Sequence, residues 1–345
     1  MADSLTPAQR LDVLSAFAAT LPDPCLLLDR RSVVLFRNEA AAREFPNAIE
    51  GNPLTLALRS PIFLNALDLA RRGGTPQTVE LHQTVPNETW HRAHVAPIEG
   101  GDGVVAVTLQ NLSELKRVES LRSDFIANAS HELRTPLTSL VGFIDTLLGP
   151  AAKDEDARTR FLGIMRQQAA RMSRLIDDLL SLSRIEMRQH VKPTGQVELR
   201  QLLEEVRDGL ESQAREAGIA IAIDAPEPAT ISGDREELYE VFENLMDNAI
   251  KYGGEGGRVE VALGPGRSGF DCLVSVTDHG AGIAAEHVPR LTERFYRVDA
   301  ESSRKKKGTG LGLAIVKHIL NRHHGQMTIR SRPGEGTRVE VSLNR

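Results

Sequence analysis

The chain has 345 residues, enough for two or three domains of about 150 residues each. Hydrophobic residues make up 41% of it and charged residues 26%, which is typical of a globular protein. The formal net charge of −5 argues against a general nucleic-acid-binding protein, because such proteins usually present a basic face or tail.

Cysteine use and hydropathy exclude two further classes of protein. Cys25 and Cys272 are far apart, so we expect neither a disulfide framework nor a zinc site, and both should be buried as small apolar side chains. No apolar run approaches the ~18–20 residues that a membrane-spanning helix needs. We therefore predict a cytoplasmic chain without a membrane span, associated with a membrane only if a longer native form exists.

Residues 10–110 predict a small α+β module. Two short apolar runs, 25–29 and 32–36, indicate a β-hairpin. Two helix-like segments follow, the second ending at Gly73-Gly74, and then three strand-like segments. The helices are predicted at 38–45 and 62–71, the strands at 78–81, 90–96 and 104–109, and the loops at Pro86-Asn87 and 100–103. This order of elements resembles a PAS sensor domain.

Residues 111–190 predict two long amphipathic helices. Apolar residues recur every three or four positions from Leu112 to Leu147 and again from Phe161 to Ile185, and Gly149-Pro150 separates the two runs. A single antiparallel hairpin cannot bury both apolar stripes. We therefore expect a homodimer in which two hairpins form a four-helix bundle.

Residues 195–345 alternate helix and strand patterns, which predicts one α/β sandwich domain. Helices are expected at 199–217, 234–252 (with Asp234 as N-cap) and 311–322, and strands at 219–223, 259–263, 272–276, 327–330 and 338–343.

The first candidate site lies in the middle of the first long helix. His131 is off the apolar stripe and should face solvent, where a neutral imidazole nitrogen can attack phosphorus. Glu132 does not share its helix face and would have to reach round to the ring, whereas Thr135 at i+4 does share it. Pro136 should kink the helix. A lone exposed histidine is usually only a solvated residue, but the acid, the threonine and the proline beside it favour a functional site.

The second candidate site combines four segments of the C-terminal domain. Asn244, Asn248 and Lys251 share a helix side, where amide oxygens suit Mg²⁺ and an ammonium group suits phosphate. Asp278, followed by Gly280 and Gly282, ends a strand and can accept an adenine amino group. The remaining segments are Glu293-Arg294-Phe295-Tyr296-Arg297 and Gly308-Thr309-Gly310-Leu311-Gly312-Leu313, the latter opening a helix whose free amides can bind phosphate.

Other nucleotide-binding patterns are absent from the sequence. The glycine run lacks the spacing of a dinucleotide fingerprint, and no P-loop motif is present. Each of the four segments alone is a weak signal, because asparagine faces, glycine turns and glycine strings are common. Their order downstream of the histidine hairpin makes coincidence improbable.

Together these residues resemble the phosphoacceptor, asparagine, glycine-rich and phenylalanine motifs of sensor histidine kinases. The segment from Phe125 to Thr138 is similar to the phosphate-regulon branch of that family. The resemblance is specific over residues 120–345 and implies a two-component kinase, with phosphate-starvation signalling as its setting. It also implies a GHKL (Bergerat) ATP-binding fold, ATP and Mg²⁺ as cofactors, and a response-regulator receiver domain as the partner.

The resemblance assigns a role to each candidate residue. His131 would be the phosphoacceptor, Glu132 its acid–base partner, and Thr135 a helper in dephosphorylating the regulator. In the nucleotide site, Asn248 would bind Mg²⁺ with help from Asn244, Lys251 would bind phosphate, Tyr252 would line the nucleotide, and Asp278 would hold adenine in a pocket shaped by Gly280 and Gly282. Phe295 belongs to the same nucleotide site, Arg297 and residues 298–307 would form a lid, and Gly308, Thr309, Gly310, Leu311 and Gly312 would close its phosphate end.

Two positions depart from the family pattern, and three alternatives remain. Ala281 replaces a common proline, and Lys307 stands where a glycine is common. One alternative is a chaperone- or topoisomerase-type ATPase, which would need no phosphoacceptor histidine. The others are a scaffold that binds nucleotide without catalysis and an enzyme that works mainly as a phosphatase on its partner.

Overall fold

A computed structural model describes residues 6–84, 88–99, 103–188, 191–253, 256–267, 269–298 and 308–345. Contacts divide the chain into two compact units, Met1–Ile126 and Ala127–Arg345. The predicted loop residues Pro86, Asn87 and 100–102 lie outside the described residues, as do residues 299–307 of the predicted lid.

The first unit contains a five-stranded antiparallel sheet in the order β2-β1-β5-β4-β3. The predicted hairpin, two helices and three strands are all present. An additional helix, α1, precedes them and was not predicted. The elements are α1 (Pro7–Ala19), β1 (Cys25–Leu28), β2 (Val34–Arg37), α2 (Glu39–Glu44), α3 (Pro61–Gly73), β3 (Gln77–Gln83), β4 (Thr89–Pro97) and β5 (Val105–Asn111).

Local sequence explains where the helices of this unit begin and end. Asn38 accepts a hydrogen bond from the Ala41 N–H and so caps α2. Gly74 ends α3 in the left-handed conformation, with φ of 61°. The apolar face of α3, including Phe63 and Leu67, is buried against the sheet in one continuous core. Cys25 is buried as expected.

Two long helices follow, as predicted. α4 (Ser113–Leu148) continues through Pro136, and α5 (Glu155–Met187) begins after Asp154, whose side chain accepts a hydrogen bond from the Ala157 N–H at 2.8 Å. Within the second unit the two helices form a hairpin in which the rings of Phe143 and Phe161 lie 5.2 Å apart. The kink at Pro136 stays a prediction. None of the described helices is long and apolar enough to cross a membrane.

The rest of the second unit is a sheet covered by helices. The sheet order is β11-β12-β10-β9-β7, and only the β7–β9 pair is parallel. A separate two-stranded sheet, β6-β8, was not predicted. The elements are β6 (Gln196–Glu198), α6 (Leu199–Glu216), β7 (Ala220–Asp224), β8 (Thr230–Ser232), α7 (Arg235–Tyr252), β9 (Arg258–Pro265), β10 (Cys272–Asp278), α8 (Gly312–Arg322), β11 (Gln326–Arg332) and β12 (Gly336–Leu343).

Helix α7 is the central helix of this layer. It contacts α6, α8 and strands β9 and β10. Asp234 caps it through its side chain, as predicted, by accepting hydrogen bonds from the N–H groups of Glu236 and Glu237. Its buried face contains Phe242 and Met246. Asn244 and Asn248 lie on the other side of the helix, where they line a cavity.

Candidate functional site

His131 is exposed on α4, as its position off the apolar stripe predicted. Thr135, one turn later, is also exposed, and its hydroxyl donates to the His131 carbonyl at 3.2 Å. Thr138 makes the same kind of bond to the carbonyl of Arg134 at 3.0 Å. These bonds occupy backbone carbonyls near Pro136, which lacks the N–H that a helix interior normally supplies.

Glu132 points toward the other helix of the hairpin. Arg171 on α5 donates to its carboxylate at 2.8 Å, and both side chains are half-buried. Among the described contacts, the carboxylate bonds Arg171 and not the His131 ring. The predicted contact between Glu132 and His131 is therefore not formed in this arrangement, because adjacent helix positions face different directions.

A cavity of about 610 Å³ lies between α7, the end of β10 and the start of α8, with α5 on one side. This volume is in the range of ligand sites for small molecules. Most of the residues predicted to bind nucleotide line it: Asn244, Asn248, Lys251, Tyr252, Asp278, Gly282, Arg297, Gly308, Thr309, Gly310 and Gly312.

Three of the predicted nucleotide-binding residues, Gly280, Phe295 and Leu311, are not among the residues that line the cavity. Leu311 is fully buried and anchors the start of α8 in the core. The Gly280 N–H donates to Asp278 at 3.0 Å, and the Phe295 N–H donates to the Gly310 carbonyl at 2.8 Å. Each of the three thus contacts a residue that does line the cavity, Leu311 through its N–H to the Thr309 hydroxyl, and their part in nucleotide binding stays a prediction.

The asparagine face of α7 is held by neighbouring side chains. Asn244 donates to the Glu240 carbonyl at 2.9 Å, one turn earlier. Lys251 forms an ion pair with Asp247, which also accepts a hydrogen bond from Gln213 of α6 at 2.6 Å. The ammonium group predicted to meet phosphate is thus held by a carboxylate that also lines the cavity.

Asp278 ends β10 and is only 8% exposed. Its Oδ1 accepts hydrogen bonds from the N–H groups of Gly280 and Thr337, at 3.0 and 3.3 Å. A Cβ on Gly280 would lie 2.3 Å from the Tyr252 carbonyl oxygen, and Gly282 combines a φ of +68° with an approach of 1.9 Å to the Arg332 carbonyl oxygen. The turn after Asp278 therefore accepts only glycine at these two positions.

The cavity is also lined by five charged residues that the sequence analysis did not single out: Arg174, Asp178, Glu240, Glu243 and Asp247. Burial raises the pKa of Asp178, of Glu240 and of Glu243. Asp247 lies inside the asparagine motif and could have been found there. Arg174 and Asp178 belong to α5, far away in sequence, and no local pattern connects them with the cavity.

Two family models match the chain. Residues 121–188 match the His Kinase A (phospho-acceptor) domain, and residues 233–345 match the histidine kinase-, DNA gyrase B- and HSP90-like ATPase domain. The phosphate regulon sensor protein PhoR of Pseudomonas aeruginosa is 32% identical over 330 residues, covering 95% of this chain and 73% of the relative. The chain belongs to the sensor histidine kinases.

Other similar proteins agree with this family. The sensor protein kinase WalK of Staphylococcus aureus is 35% identical over 242 residues, which cover 70% of this kinase and 58% of that relative. A solved structure of the histidine kinase ThkA in complex with the response regulator protein TrrA is 19% identical with a TM-score of 0.51, and it covers 95% of this chain and 97% of its own. At that identity the likeness shows the fold alone.

This sensor histidine kinase is therefore an ATP-dependent histidine kinase of two-component systems, and its C-terminal α/β domain is of the ATPase type. The chaperone and topoisomerase alternatives lack the phosphoacceptor domain that matches here. The cavity fits ATP, because it joins a buried carboxylate, an amide-bearing helix face, a lysine and glycines whose missing side chains keep it open. Its lining is also compatible with Mg²⁺, since the side-chain amide of Asn248 offers a hard oxygen atom.

Proposed function

We propose that this kinase transfers the γ-phosphoryl group of ATP to His131, and from phosphohistidine to an aspartate of a response-regulator receiver domain. The observation that carries the proposal is an exposed histidine on α4 in the same compact unit as the glycine-lined cavity. The complex of ThkA with a response regulator supports the choice of partner.

The transfer needs an unprotonated ring nitrogen on His131. That nitrogen attacks the γ-phosphorus, an N–P bond forms, and the bond to the β,γ-bridging oxygen breaks with its electron pair leaving on ADP. Glu132 accepts the proton of the other ring nitrogen, or shares it, as positive charge develops on the imidazole. The Arg171 bond goes to one carboxylate oxygen, Oε2, so Glu132 would turn its other oxygen toward the ring while Arg171 keeps the group oriented.

In the cavity, Asn248 would hold Mg²⁺ with Asn244 beside it, and Lys251 would meet the phosphates. When bound, Mg²⁺ supplies positive charge that neutralises the transferring phosphoryl group. Asp278 would accept the adenine amino group, and Tyr252 would line the nucleotide. Gly308, Thr309, Gly310 and Gly312 would bring backbone amides to the phosphate end at the start of α8.

The exposed apolar side chains of the hairpin support dimerisation. Leu137, Val141 and Leu148 on α4 and Leu162 and Leu180 on α5 are each at least half exposed. Pairing two hairpins into a four-helix bundle would bury these side chains and stabilise the dimer by roughly 1 kcal/mol for each half-exposed one. A homodimer is therefore the form in which this kinase would work.

The proposed domain organisation is a PAS-like sensor domain at 10–110, a dimerisation and phosphoacceptor domain at 111–190 and a catalytic domain at 195–345. The five-stranded antiparallel sheet with α2 and α3 supports a PAS-like sensor. A signal would pass along the first turns of α4 by shifting populations of the helical bundle. Similarity to PhoR supports phosphate signalling as its setting. Thr135, exposed beside His131, supports an additional phosphatase activity on the regulator.

Phosphotransfer in the presence and absence of Mg²⁺ tests this proposal. The dimeric chain is incubated with γ-labelled ATP and a panel of receiver domains. Label should reach a receiver aspartate only with Mg²⁺ and not in Asn248→Ala. Asn321→Ala, which alters an exposed asparagine of α8, serves as the matched control and should behave as the parent. Label that reaches no receiver domain, or that moves equally well in Asn248→Ala, would contradict the proposal.

A further inference from the structure

Helix α5 contributes part of the cavity wall beside the glycine run. Arg174 and Asp178 line the cavity together with Gly308, Thr309 and Gly310. The Thr309 hydroxyl donates to the Asp178 carboxylate at 2.7 Å, across 131 residues of sequence. A carboxylate of the phosphoacceptor hairpin is thus bonded to the segment that would receive the phosphates.

Two further contacts attach the same helix to the catalytic part of the unit. The Ser181 hydroxyl, one turn after Asp178, donates to the two carboxylate oxygens of Glu240 at 2.7 and 2.8 Å. Nearer the end of α5, Glu186 forms an ion pair with Arg294. Three separate polar contacts therefore hold α5 in this position, and Asp178 lies at the cavity end of the series.

The carboxylates of this wall oppose a polyphosphate. The Asp178 carboxylate is bonded to Thr309 in the segment that opens α8, and Glu240 and Glu243 line the same cavity as the basic residues Arg174 and Lys251. Like charges at such short range repel strongly where water is partly excluded. Burial raises the pKa of Asp178, because it disfavours the charged form of the carboxyl group.

We propose that Asp178 is a negative determinant of nucleotide affinity that acts on the phosphate end, so that ATP binding and the Asp178–Thr309 contact exclude one another. This inference rests on the proposed function, because that function places the ATP phosphates at the glycine run. Since coupling is reciprocal, ATP would weaken the docking of α5 as much as that docking weakens ATP binding. Loading of ATP would therefore release the hairpin, and with it His131, for phosphoryl transfer.

Equilibrium binding to the full dimeric chain tests this inference, with adenosine, ADP and ATP as ligands in Mg²⁺ buffer. The variants are Asp178→Asn, which removes the charge and keeps a hydrogen-bond acceptor, and Asp178→Ala, which removes both. Asp177→Asn is the matched control, because Asp177 is the exposed neighbour on the same helix. Adenosine binding reports that the adenine end of the cavity is intact in each variant.

Both Asp178 variants should bind ATP about tenfold more tightly, ADP by a smaller factor and adenosine unchanged, as expected for a coupling of ordinary size. Asp177→Asn should match the parent. Weaker ATP binding with normal adenosine binding would instead show that Asp178 holds the metal, and an unchanged ratio of ATP to adenosine affinity would show no coupling. Either result overturns the inference and leaves the proposed function standing. A parent chain that binds no ATP would overturn both.

Discussion

Arg171 of α5 donates a hydrogen bond to Glu132 of α4 at 2.8 Å, so the two helices of the hairpin are joined beside the proposed phosphoacceptor. The pair keeps the Glu132 carboxylate between the helices, one residue away from His131. It follows that the position of α5 controls the group that would handle the imidazole proton.

Substitutions of Arg171 should therefore change the rate of autophosphorylation, although this residue has no predicted contact with the nucleotide. Glu132→Gln should lower the rate of autophosphorylation about 100-fold, as expected for loss of a general acid–base group. Arg171→Gln should lower it about tenfold, because the carboxylate loses its orienting partner, and Arg171→Lys should restore much of that loss. Rates are measured at saturating ATP, and the KM for ATP should not change.

Arg166→Gln provides the control for these rates, because Arg166 is an exposed arginine earlier on the same helix. It should leave the rate unchanged. If Arg171→Gln raised the rate instead, the ion pair would be a restraint on Glu132 and not a positioning contact.

In the first unit, Glu44 of α2 connects a buried histidine with the start of α4. Its carboxylate accepts a hydrogen bond from His91, which is 2% exposed, at 2.7 Å and another from the Asn111 side chain. Asn111 in turn accepts a hydrogen bond from the Ser113 N–H at 2.9 Å, at the first residue of α4. Glu44 thus fixes the amide that caps this helix.

Glu44→Ala should destabilise the first unit by about 1–3 kcal/mol, because the His91 ring and the Asn111 amide lose their partner. Trp90 is the only tryptophan of the chain and neighbours His91 on β4, so its fluorescence during urea unfolding reports on this unit. Glu39→Ala, at an exposed position on the same helix, should cost a few tenths of a kcal/mol at most. Equal effects of the two substitutions would contradict this role for Glu44.

Sequence periodicity predicted the long helices and most strands because their signals are local and repeated. The asparagine face of α7 and its cap Asp234 also follow from local spacing. Helix α1 was not predicted from the sequence. Its large apolar residues Val13 and Phe17 are exposed, so the helix lacks the buried apolar stripe on which such a prediction depends. Strands β6 and β8 were missed because three residues are too short a run to show a period.

Site residues could be predicted where a single helix or strand determines their position. Contacts between residues that are far apart in sequence could not. His131 could be placed from its own helix, and Asp278 from the end of its strand. The contacts of Arg171 with Glu132 and of Asp178 with Thr309 join residues 39 and 131 positions apart. Such contacts depend on how α5 packs, and a single sequence has no signal for that packing.

The stability of the proposed catalytic domain, residues 195–345, should depend on pH through His323. Its Nε2 accepts a hydrogen bond from the Asp234 N–H at 3.0 Å, and its Nδ1 lies 2.8 Å from the Ile319 carbonyl, which fits a neutral ring. Burial lowers the pKa of His323 and also that of His318. At these two histidines the unfolded chain therefore binds protons more readily than the folded one, so the stability that they contribute should be lost as pH drops below about 6.5.

His323→Gln should reduce this pH dependence, although His318 keeps part of it. The measurement is the opening free energy of α7 and α8 from amide hydrogen exchange at pH of about 7.5 and 5.5, corrected for intrinsic exchange rates. The parent should lose up to about 1.4 kcal/mol per pH unit for each histidine. His324→Asn, at an exposed neighbouring position, should retain the slope of the parent. An equal slope in the parent and in His323→Gln would contradict this role for His323, because the raised pKa values of Asp178, Glu240 and Glu243 act in the opposite direction in both chains.

The most direct test of phosphoryl transfer to His131 is autophosphorylation with γ-labelled ATP and Mg²⁺, followed by acid and base treatment of the product. The parent and His324→Asn should carry label that is lost in acid and kept in base, as expected for a phosphorus–nitrogen bond on histidine. His131→Ala should carry none while still binding ATP. Label that persists in His131→Ala, or that survives acid in the parent, would show that His131 is not the phosphoacceptor.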